Sequence, residues 1–72
     1  MGFNEPLFRY LIAKKGKSID DAAVVMGINK ATLYRKINGK SEFLRDEIQK
    51  FCIAFADSEI NPMNIFFASK VS

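Results

Sequence analysis

Residues Ser18 to Lys40 read SIDDAAVVMGINKATLYRKINGK, and the start and stop signals inside this run predict two short helices joined by a tight turn. Ser18 is a capping residue, and Asp21, three positions on, stands where a capping box places its acidic partner. Gly27 supplies the positive φ that ends the first helix, Asn29 caps the second, and Gly39 ends it. Only Ile28 separates Gly27 from Asn29. So short a joint forces the two helices to cross steeply, which is the helix-turn-helix arrangement. No acidic residue lies between Ala22 and Ser41, whereas Lys30, Arg35, Lys36 and Lys40 do. A helix presented in this way suits the major groove of DNA.

Outward from this segment, the chain continues in helical periods. Asn4 caps a first helix, with Pro6 tolerated in its first turn and Leu7, Phe8, Leu11 and Ile12 at helical spacing through to Lys15. Gly16 ends it, and Lys14 and Lys15 suit the negative end of its dipole. The second helix, about Ile19–Met26, buries Ala23 and Met26; the third spans Lys30–Asn38. A fourth starts near Arg45, where Phe43 and Ile48 can staple around Leu44 and Glu47 takes the acidic third position. Ile48, Phe51, Cys52 and Phe55 then form one apolar stripe, which makes Cys52 an inert core residue. Ala56 to Glu59 reads as a loop. Asn61 as cap and Pro62 at the first position open a short fifth helix that ends near Ala68.

Seventy-two residues make one domain, 1–72, of the all-α class, and a five-helix bundle is the economical way for so short a chain to enclose a core. At 49% apolar with seven Phe, the chain has core to build. One Cys and no His remove a disulfide framework and nearly all zinc sites, and a lone Cys suits a reducing cytoplasm. No apolar run has the length of a signal peptide or a membrane span. With no nucleophile–base pair and no metal cluster, no enzyme activity, cofactor or small-molecule ligand is expected. The net charge of +3 is modest, but its placement is not even. Residues 1–16 carry +2, 17–40 carry +3, 41–57 carry −2 and 58–72 carry 0. The basic half coincides with the paired helices, as an electrostatic footprint on phosphate should.

On a helical wheel with Leu33 at zero, Ile37 falls about 40° away and the two define the buried face. Arg35 lies about 200° round, aimed away from the core and flanked by Ala31, Tyr34 and Asn38. Arg35 is suited to a bidentate contact with guanine, Lys30 to a base or a phosphate, and Ala31 to a thymine methyl. The plain alternative is that Lys30, Arg35 and Lys36 form an ordinary solvated face. Tyr34 can reach a phosphate with its hydroxyl or lie over the edge of the core.

The segment resembles the phage repressor/Cro-type (XRE-like) helix-turn-helix family. The resemblance is carried by Ser18, Ala23, Gly27-Ile28-Asn29, Leu33 and the run Leu33-Tyr34-Arg35-Lys36-Ile37-Asn38-Gly39-Lys40, with Asp46-Glu47-Ile48, Asn61-Pro62 and Ile65-Phe66-Phe67 fitting the closing helices. It implies a lambda-repressor-like five-helix domain that binds a double-stranded DNA operator as a transcription regulator, either Cro-like or a minimal prophage repressor. It implies base contacts from Lys30, Ala31 and Arg35, and backbone contacts from Lys17, Ser18, Asn29, Thr32, Tyr34, Asn38 and Lys40. Ile19 departs from the family, which often has a phosphate-touching Gln there; Lys17 is the compensating candidate. Ile12 and Ile37 stand where some relatives bury an Arg–Glu pair, and an apolar pair is at least as stable there because neither charge need be desolvated.

Specific operators usually need two recognition helices about one turn (~34 Å) apart. Ile53 lies off the apolar stripe of the fourth helix, and Phe66, Phe67 and Val71 exceed what a short closing helix needs. Phe66 and one neighbour could instead cap the core, but relatives of this size commonly pair through this end, so a homodimer through these residues is expected. The competing reading is a protein-interaction module on the same fold, an antitoxin or phage-encoded inhibitor, using an acidic surface around Glu42, Asp46, Glu47 and Asp57.

Overall fold

The three glycines that follow the first three helices all adopt left-handed backbone, and the same terminal hydrogen bond closes each helix. In the computed structural model, which describes residues 2–67, φ is +71° at Gly16, +78° at Gly27 and +84° at Gly39. The amide N–H of Lys17 donates to Ile12 O at 3.0 Å, that of Ile28 to Ala23 O at 3.0 Å, and that of Lys40 to Arg35 O at 2.9 Å. This six-to-one bond answers carbonyls that would otherwise lack a partner at a helix end.

Between these stops run five helices: α1 Glu5–Lys14, α2 Ile19–Met26, α3 Lys30–Ile37, α4 Arg45–Ala54 and α5 Met63–Phe66. No strand occurs among the described residues. The starts follow the capping signals. Asn4 Oδ1 accepts the Leu7 amide at 3.0 Å, and Ser18 and Asp21 form the reciprocal box, with the Ser18 amide donating to Asp21 Oδ2 at 2.9 Å. Leu44 has no side chain to cap α4, but Glu47 reaches back to accept its amide at 2.9 Å. The fifth helix begins one residue later than the sequence suggests: Pro62 is its cap position, and Asn61 Oδ1 accepts the amide of Met63 at 3.0 Å. It ends at Phe66; Ala68 lies outside the described residues.

The second helix sits centrally, touching α1, α3 and α4, while α5 packs on α1 and α4. Ala22 and Ala23 are both buried, so α2 meets its neighbours largely through methyl-sized side chains, with Met26 filling the core beside them. Phe8, Leu11, Met26, Leu33, Phe51 and Ile65 are fully enclosed. Each such side chain contributes roughly 1.5–3 kcal/mol by leaving water. Six of the seven Phe residues share one aromatic cluster, with ring centroids 4.4 Å apart for Phe51–Phe55, 4.9 Å for Phe3–Phe43 and 5.1 Å for Phe43–Phe66. The radius of gyration, 11.3 Å, is close to the ~11 Å expected of a folded chain of this length.

A polar latch joins the end of α1 to the loop after α4. Asp57, its side chain 5% exposed, accepts Lys14 Nζ and Lys15 Nζ, each at 3.0 Å, and the amides of Glu59 and Ile60 at 2.9 and 3.0 Å. Hydrogen bonds from Lys14 and the Glu59 amide, with that from Lys15, hold its carboxyl far below the ordinary carboxylate range.

Candidate nucleic-acid interface

The α2–α3 joint is built as its residues dictate. Gly27 turns the chain, Ile28 is half-buried beneath the turn, and Asn29 Oδ1 accepts the Thr32 amide at 2.7 Å. The result fixes the roll of α3: Leu33 and Ile37 face the core, and Ala31, Arg35 and Asn38 face outward and are exposed. Lys40 is exposed just past the Gly39 turn, and Lys17 just before the Ser18 cap. The outward face therefore gathers Ala31, Arg35, Asn38 and Lys40, with Thr32 and Tyr34 half-buried on its flanks. Tyr34 lies beside the Arg9 guanidinium of α1, which is raised in pKa mainly by its bond to Glu5.

Four sequence-based assignments read differently in three dimensions. Lys36 is not on the solvated face. It lies about 60° from Leu33 on the wheel, and its ammonium turns under the α3–α4 connection to meet Glu47 Oε1 at 3.2 Å, both side chains 8% exposed. Glu47 and Asp57 therefore drop out of the acidic surface, the first paired with Lys36 and the second with Lys14 and Lys15; Asp46 pairs with Lys50 at 3.1 Å. Phe66 is 6% exposed and packs on Phe3, Phe43 and Phe51, so it belongs to the core rather than to an outer patch. Cys52 is half-buried rather than enclosed, with Sγ 3.5 Å from Met63 Sδ.

Ser18 has both its amide and its hydroxyl engaged with Asp21, so its polar groups are already satisfied within the helix start. Lys30 is exposed but tied to Asp20 at 3.4 Å. Ile53 and Phe67 are 71% and 51% exposed. They line a groove of about 670 Å³ with Phe43, Ile48, Cys52 and Met63. Val71 lies outside the described residues.

The electrostatics sort the cations into two groups. Arg9, Lys14, Lys15, Lys30, Lys36 and Lys50 each have an acidic partner. Among the described residues the cations without one are Lys17, Arg35, Lys40 and Arg45. Arg45 was not singled out from the sequence, although one signal was present: it occupies the first position of α4, where the helix dipole disfavours a cation. An arginine free of partners keeps five N–H donors for a planar acceptor pair, whether a guanine edge or a phosphate. Among the described residues no group of three or more His, Cys, Asp or Glu could hold a metal ion, and no helix is long and apolar enough to cross a membrane. No family model, curated protein or solved structure matches this chain.

Proposed function

We propose that the chain is a sequence-specific double-stranded-DNA-binding transcription regulator, Cro-like or a minimal prophage repressor. In this reading α2 and α3 form the helix-turn-helix of a lambda-repressor-like domain, and α3 enters the major groove. The observation that carries it is the distribution of unpaired cations. Among the described residues three of the four, Lys17, Arg35 and Lys40, belong to the α2–α3 segment and its flanks, whereas Arg9, Lys14, Lys15 and Lys50 elsewhere each have an acidic partner. Arg35 and Ala31 read bases, and Lys30 joins them once a base edge draws it from Asp20. Lys17, Lys40, Asn38, Thr32 and Tyr34 hold the backbone and set register. Asn29 has its amide nitrogen free for the same purpose while its oxygen caps α3.

In this reading two copies pair through the groove that exposes Ile53 and Phe67, as a two-fold-symmetric operator bound by two recognition helices requires. The same groove is what favours the other reading, a protein-interaction module. That reading loses its acidic surface, however, because Glu47 and Asp57 are engaged within the fold.

Selection of bound sequences from a random duplex pool, followed by titration of the enriched site against salt, tests the proposal. A two-fold-symmetric motif is expected, with log affinity falling against log salt at a slope near −5 to −9 for about 6–10 neutralised phosphates. No enriched motif together with a slope near zero refutes it.

A further inference from the structure

The Lys36–Glu47 pair is the one ion pair among the described residues in which both side chains are nearly enclosed. Its place matters more than its burial. Lys36 lies in the last turn of α3, beside Arg35, and Glu47 in the first turn of α4. The Lys36 ammonium also donates to Glu42 O at 2.9 Å, and Glu47 Oε1 accepts the Leu44 amide at 2.9 Å. One ammonium and one carboxylate thus fasten the end of α3, the connecting segment and the start of α4 at a single point.

Leu33 and Ile37 seat α3 in the core, and the Lys36–Glu47 pair adds a polar tie at its end. Among the helices, α3 packs mainly on α2. An open groove of about 360 Å³, whose lining includes Phe3, Lys36, Glu42, Phe43, Ile48 and Phe66, lies beside the connection. A buried ion pair is seldom a net source of stability compared with apolar side chains of similar volume, because both charges lose their hydration; its best-attested use is to select one arrangement.

We infer that Lys36 and Glu47 are positioning residues that lock the orientation of α3, so that Arg35 is presented at one angle. The consequence for base discrimination rests on the DNA-binding reading; the consequence for α3 itself does not. The test compares wild type with Lys36→Met/Glu47→Gln, which removes both charges together and leaves an amide oxygen to accept the Leu44 N–H.

In free protein, α3 amides of the double variant should exchange with solvent about tenfold faster while α2 amides do not change. Residual dipolar couplings should fit a broadened α3 orientation, and Lys36→Arg should keep the wild-type pattern. On DNA, the ratio of binding to the selected site over a scrambled duplex should fall about tenfold, the loss of roughly one base contact. If the pool yields no site, the DNA reading fails while the exchange and coupling measurements still decide the lock. Unchanged exchange and couplings in a folded double variant overturn it. Should that variant not fold, the wild-type ammonium resonances decide. A Lys36 signal slowed in hydrogen exchange relative to Lys17 and Lys40 supports the lock, and one indistinguishable from theirs overturns it.

Discussion

The ammonium nitrogen of Lys30 stands 3.4 Å from a carboxylate oxygen of Asp20, so the residue that opens α3 is tied back to the first turn of α2. Both side chains are more than half exposed. Such a pair contributes ~0–1 kcal/mol and is screened by salt. A phosphate approaching the α2–α3 edge meets the Asp20 carboxylate as well as the lysine. Asp20→Asn is therefore expected to tighten DNA binding by about two- to fivefold at low salt, an advantage that shrinks as salt rises. Stability should change by less than about 1 kcal/mol. Filter binding or fluorescence anisotropy across a salt series measures it; weaker binding of the variant at low salt contradicts it.

Arg35 and Lys40 are both exposed and both lack an acidic partner among the described residues, yet their expected roles differ. Arg35→Ala should cost roughly 1–3 kcal/mol on the selected site and relax preference at one base pair. Lys40→Ala should weaken all duplexes about equally and make the salt slope shallower by about 1. Competition titrations against singly substituted sites separate the two. An Arg35→Ala protein with wild-type site preference is incompatible with the base-reading role.

Ile53→Glu with Phe67→Glu should leave a folded monomer, since neither side chain belongs to the enclosed core. The variant should retain weak binding and lose its preference for whole over half sites, because pairing makes the second contact effectively intramolecular and can raise affinity ~10²–10⁴-fold. Sedimentation with and without DNA reads the state of assembly. A wild type that stays monomeric in both conditions removes the dimer from the model.

The Asp57 latch is expected to contribute to the acid sensitivity of the fold. Its carboxyl is held below its ordinary value by Lys14, the Glu59 amide and Lys15. A group depressed in the folded state contributes stability above its unfolded pKa, about 3.9, and loses it as pH falls toward the folded value. Thermal midpoints of the wild type should therefore drop as pH goes from about 5 downward. Asp57→Asn should melt lower at pH 7 and show a flatter acid limb. Parallel profiles for the two proteins would place the acid sensitivity elsewhere.

What could be read from the chain and what could not divide by distance along it. The Asn4, Ser18 and Asn29 caps, the three glycine stops and the reach of Glu47 back to Leu44 all operate within a few residues, and each helix start or stop carries its own signal. The outward roll of Arg35 follows from Leu33 and Ile37 on the same helix. The pairing of Lys36 with Glu47, and of Asp57 with Lys14 and Lys15, joins different elements, and no local pattern announces it. Charge by segment was accordingly misleading for the acidic surface: three of its four members have a cation partner, Glu47 and Asp57 with shielded side chains and Asp46 in an exposed pair. Phe66 and Phe67 are neighbours of one type, and only the seating of α5 on α1 and α4 decides that the first is enclosed and the second exposed.

Because every cap and every glycine stop around α2 and α3 is closed by groups other than the outward side chains, the face that meets the outside is mechanically separate from the frame that carries it. The side chains of Ala31 and Arg35 make no hydrogen bond among the described residues, and Lys30 makes only its exposed link to Asp20. Such a frame can be reprogrammed. A library randomised at 30, 31 and 35 should stay folded across most of its members, so these positions are free to vary without rebuilding the interior.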